Sequence, residues 1–92
     1  MDEKILKILH DKLDEIFVNN DEIRKIISSI DVNTYLLDSQ SLRLGILIGR
    51  LYNSFYYQHR RILHRNPTTD EFLEFLDFIK LNQRNFQEKL GF

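Results

Sequence analysis

The sequence contains no cysteine. That excludes a disulfide framework, a thiolate metal site and a cysteine nucleophile. Alanine is absent too, and there are one proline and three glycines. Alanine is the best helix former, so its absence from a helical pattern reads as the coding bias of an AT-rich genome, not as a stability choice. Apolar runs are short. Ile46-Leu47-Ile48 is typical, far from the roughly 20 residues a spanning helix needs. The first residues, MDEKILKILHDKLDEIF, are charged throughout, which is unlike a signal peptide. No membrane association is expected, and a cytoplasmic, intracellular home is the default. No stretch alternates apolar and polar residues as a strand would. Phosphate loops, dinucleotide fingerprints, zinc spacings and calcium loops are missing. The expectation is a chain with no enzymatic activity, no metal and no cofactor.

What is present fits one folded domain over residues 1–92. The hydrophobic share is 42% and the charged share 29%, in the globular range and not the disordered one. A domain of this size buries only about 60–65% of its unfolded surface, so a partner adds much. The net charge is −1, but it is unevenly spread. Residues 1–40 hold nine acids and five bases, residues 41–66 five arginines and no acid, and residues 67–92 five acids and three bases. Two readings follow. The segments neutralise each other within the fold, or the basic one is exposed to a polyanion.

Periodicity predicts four helices. The first spans about residues 2–18, with Ile5, Leu6, Leu9, Leu13, Ile16 and Phe17 on one face. Asn19 and Glu22 have capping-box spacing and open a short second helix to about Ile30. Residues 31–38 show no clear period. Asp38 or Ser39 caps a long third helix near residues 40–65, which Asn66-Pro67 ends. Thr68 and Glu71 form a capping box for a fourth helix, striped by Phe72, Phe75, Leu76, Ile79, Phe86 and Leu90 and stopped by Gly91. RNPTTDE at 65–71 resembles helix openings in DNA-binding helical domains, sigma-factor segments among them. The match covers seven residues and carries a helix start, no function. The fold class expected is all-α: a small four-helix antiparallel bundle with one short helix and a long third.

Residues 50–65, RLYNSFYYQHRRILHR, hold four arginines and four aromatics. At 100° per residue they separate. Leu44, Ile48, Leu51, Phe55 and Ile62 centre the apolar face, beside a strip of Gly45, Gly49, Tyr52 and Tyr56. Arg43, Arg50, Ser54, Gln58, Arg61 and Arg65 lie opposite. Tyr57 flanks Arg50. Arg43, Arg50, Tyr57, Arg61 and Arg65 are therefore the candidate polyanion contact, weighed against a merely solvated face. Gly45 and Gly49 each cost roughly 1 kcal/mol in a helix interior. Close helix packing is the expected return, inside the bundle or against a second chain. His59 points into the apolar face as a core histidine bonded to a tyrosine or backbone group, with a ligand or catalytic role as the sharper alternative. Leu73, Phe78 and Leu81 fall outside the fourth stripe and make that helix apolar on more than one side. With the glycine–tyrosine strip they are the candidate partner contact. The expected function is a non-catalytic interaction module, self-associating as a homo-oligomer or serving as an accessory subunit. Nucleic-acid binding through the arginines is the alternative.

Overall fold

In a computed structural model, residues 1–30 and 38–90 are described. They form an all-α bundle. Helix α1 spans Glu3–Val18, and Asp2 caps it by accepting the backbone N–H groups of Lys4 and Ile5 at 2.9 and 3.2 Å. Its buried stripe is Ile5, Leu9, Leu13 and Ile16, the 3–4 spacing of an amphipathic helix. Leu6, expected in that stripe, stands at its exposed edge.

Helix α2 follows at Asn20–Ser28 and buries Ile23. Asn19 makes no side-chain cap, contrary to the expected box. The two helices share this single hinge residue, at φ −97° and ψ 28°. An N-cap side chain reaches its donors from extended backbone, which Asn19 lacks. Instead its carbonyl accepts the Glu22 N–H at 3.0 Å. Val32, Tyr35, Leu36 and Leu37 lie outside the described residues, as does Gly91.

Helix α3, Ser39–Gln58, is capped by Asp38. The hydroxyl of Ser41, then the Gln40 amide, hold the Asp38 carboxyl below the usual range. After Gln58 the helix widens into a π turn, His59–Leu63, and stops at His64 in the left-handed region (φ 56°). The stop therefore precedes Asn66-Pro67: a left-handed residue satisfies the helix end before the proline is reached. The buried face of α3 is Leu47, Leu51, Ser54 and Phe55. Ser54 was expected among the arginines. It is buried because α1 lies against that flank, where Lys12, Ser54 and Tyr57 line a common hollow.

Helix α4 is Thr69–Leu81, with the Thr68–Glu71 capping box formed in both directions. The expected continuous helix to Leu90 is broken at Asn82, and α5 restarts at Gln83–Leu90. Asn82 explains the break. Its buried side-chain amide donates to the Phe78 carbonyl at 2.9 Å, competing with the helix for that acceptor. Phe55 stacks on Phe75 at 4.7 Å between ring centroids, while His10 meets Phe78 edge-on and Phe17 meets Phe86. Thus α3 runs antiparallel to α1 and to α4, and α4–α5 follows α1 in the same sense. With walls on both sides, α4 buries Phe75 and Phe78. Leu76, read as stripe, is instead exposed.

Candidate interaction surfaces

The glycine strip lies open. Gly45 and Gly49 are exposed, and a Cβ built on either would meet no atom within 4 Å. Close backbone approach within the bundle, one of the two returns expected for these glycines, is therefore excluded among the described residues. Tyr52, 42% exposed, continues the strip and leans edge-on against Phe72 and Phe75. Tyr56 is half-buried beside it. Leu73 is 52% exposed.

Phe78 does not belong to that surface. It is 4% exposed and part of the core, because α1 covers the flank of α4 that carries it. Leu81 is 83% exposed, but it borders a different surface, the groove between α1 and α4. That groove, of about 400 Å³, has Phe78 at its base, Leu6 and Leu81 along its walls, and His10, Glu74 and Asp77 on its rim. Glu74 also holds the terminal ammonium group of Met1. The expected partner-contact residues thus divide between two faces. Leu6, His10, Glu74 and Asp77 were not expected there. The sequence offered one clue: Leu6 lies at the margin of its stripe, the position from which a side chain looks sideways along a helix.

The arginines are not one exposed row. Arg43 and Arg50 are half-buried, and Arg50 reaches to within 3.9 Å of Glu15. Arg61 donates to Gln58 at 2.9 Å, a neutral acceptor. Arg60 lies over the Tyr56 ring at 5.5 Å and donates to Asn66. Arg65 grips Glu71 with two hydrogen bonds, at 2.6 and 3.1 Å. Tyr57 is 58% exposed, and Arg61 is exposed as well.

Behind this face sits a buried polar cluster. His59 is fully buried, and its Nδ1 lies 2.7 Å from the Phe55 carbonyl. A carbonyl only accepts, so Nδ1 carries the proton. The core histidine bonded to backbone is what the structure shows. Its Nε2 is 3.4 Å from Glu71 but has no hydrogen-bond geometry to any group. The Arg65 fork holds the Glu71 carboxyl down at about 2, against its burial and with help from Thr68 and His59. In return Glu71 raises the Arg65 guanidinium further above its usual value. This cluster locks the end of α3 to the start of α4. Its imidazole is sealed from solvent. Among the described residues no cluster of three or more His, Asp or Glu could hold a metal, and no helix is long and apolar enough to cross a membrane.

In comparisons with known proteins, no family model, no curated protein and no solved structure matches the chain.

Proposed function

We propose that the chain is a non-catalytic helical interaction module, working by self-association or as an accessory subunit of a larger assembly. The observation that carries this reading is the open glycine–tyrosine strip. Two glycines in a helix interior cost roughly 1 kcal/mol each relative to alanine, and nothing among the described residues recovers that cost. A helix of another chain laid along Gly45, Gly49 and Tyr52 would recover it, because small residues let backbones approach closely. The exposed Leu73 and Leu81 add apolar surface on two further sides. The test is co-purification of the tagged chain under native conditions, with Gly49→Leu as the control. A specific partner or self-association that weakens in this variant supports the reading. Capture that is the same with both proteins refutes the strip.

Nucleic-acid binding by the third helix ranks second. One feature favours it: Tyr57 is exposed next to arginines, where a base can stack. Against it, Arg65 and Arg50 already face Glu71 and Glu15. Duplex affinity measured against salt decides. Binding that falls steeply with salt, and is abolished by replacing Arg43, Arg50, Arg61 and Arg65 with glutamine, would put this reading first.

A further inference from the structure

The α1–α4 groove and the Tyr57–Arg61 edge, where α3 passes into the π turn, are complementary in polarity and charge. The groove has an apolar interior of Leu6, Phe78 and Leu81 under an acidic rim. Asp77 has no ion pair among the described residues, while Glu74 is partly neutralised by the Met1 ammonium group. The edge is the opposite. Tyr57 is a large exposed aromatic, and Arg61, four residues on, has no ion pair among the described residues and donates to the neutral Gln58 side chain. Tyr57 and Arg61 stand about one helical turn apart, where α3 passes into the π turn, and both are exposed. An aromatic anchor beside an arginine is the composition typical of interface hot spots.

We propose that the groove receives the Tyr57–Arg61 edge of a second copy of this chain. The Tyr57 ring enters between Leu6 and Leu81, and Arg61 reaches Asp77 on the rim. The proposal rests on the reading of the chain as an interaction module and names its partner and contact. A single chain cannot make this contact with itself. Its groove opens on the flank of α1 that carries Leu6 and His10, whereas its Tyr57 lies over the flank that carries Lys12. The two surfaces lie on different flanks of the chain and so cannot both enter one two-fold interface; the contact is head-to-tail and repeats until a ring closes or a filament grows. An acidic rim also disfavours nucleic acid or any other anionic occupant.

Complementation between two variants tests this. Leu81→Glu spoils the groove and leaves the edge. Tyr57→Ala spoils the edge and leaves the groove. Both positions are exposed, so both variants should melt like the wild type, which circular dichroism checks. By sedimentation velocity the wild type should grow in mass from micromolar to millimolar concentration. Each variant alone should associate more weakly, by about tenfold or more. An equimolar mixture should form dimers and stop there, since each dimer keeps one spoiled groove and one spoiled edge. Mixing rescues no contact that uses the same patch on both copies. Wild type that stays monomeric at all concentrations overturns the proposal, and leaves a foreign partner for the module. Wild type that associates while both variants behave like it overturns the proposal too, and returns self-association to the glycine strip, where Gly49→Leu would break it. Weakening of both variants with no rescue on mixing also refutes the head-to-tail contact.

Discussion

Glu71 ties the segment that ends α3 to the start of α4 through several contacts at once, and its removal can be dissected. One carboxylate accepts both arms of Arg65, accepts the Thr68 backbone N–H at 2.9 Å, and faces His59 at 3.4 Å. Glu71→Gln keeps an acceptor for the Thr68 amide, as glutamine serves in a capping box, but removes the charge. The Arg65 side chain is 47% exposed, so solvent screening reduces the pair to about 1 kcal/mol. Glu71→Ala loses the cap bond as well, about 1 kcal/mol more. For a domain of this length each kcal/mol shifts the melting temperature by about 4–8 °C. At neutral pH the glutamine variant should therefore melt about 4–8 °C below wild type, and the alanine variant about twice as far. The pH dependence has a definite sign. A carboxyl depressed in the fold from 4.5 to about 2 binds its proton more readily when unfolded. It contributes its stability above pH 4.5 and loses it as pH falls towards 2. The gap between wild type and Glu71→Gln should close across that window. Thermal melts followed by circular dichroism at a series of pH values measure both effects. A gap that is absent at neutral pH, or that persists undiminished at pH 2, would refute the assignment.

Further outcomes follow from other positions. Gly49→Ala should raise the stability of the isolated chain by about 1 kcal/mol, since the added methyl meets open space; a lower melting temperature would show a contact at that strip. Phe75→Ala, which removes a fully packed ring stacked on Phe55, should cost about 3–5 kcal/mol by urea denaturation, and a loss under 1 kcal/mol would contradict the α3–α4 packing. Asn82→Leu should let α4 and α5 join, raising far-UV helical ellipticity; unchanged ellipticity would show that the break does not depend on the Asn82 amide.

The parts of the fold legible in the sequence were those set by local chemistry. The α1 stripe, the Asp38 cap, the Thr68–Glu71 box and the burial of His59 each depend on residues within a turn or two of one another. What was not legible depends on neighbours. Phe78 and Leu76 exchange roles because α4 has α1 on one flank, and a helical wheel drawn for α4 alone cannot know that. Ser54 changes sides for the same reason. The π turn has no sequence signature here, yet it places His59 against Glu71 and moves the helix end forward. The groove is the extreme case. Its walls come from residues 6 and 81, and no periodicity within one helix brings those together.

The charge pattern shows how local and distant information meet. The five arginines of residues 41–66 lie between two acidic segments, and among the described residues they pair with acids from both. Glu15, from the first segment, faces Arg50 near the middle of α3. Glu71, from the last, clamps Arg65 beyond its end. Exposed pairs of this kind add at most about 1 kcal/mol to stability, so stability alone does not account for the segregation. Orientation accounts for it better. Every charged residue from 41 to 66 is an arginine, so no acid within the segment competes for them, and their carboxylate partners come from other helices. Beyond those pairs the choice falls to shape: Phe55 stacked on Phe75, and Leu47 and Leu51 against α1. The exposed pairs add little, and the aromatic contacts fix how α3 and α4 meet. Charge in this chain therefore leaves a basic edge and an acidic groove at the surface while packing fixes where each of them faces.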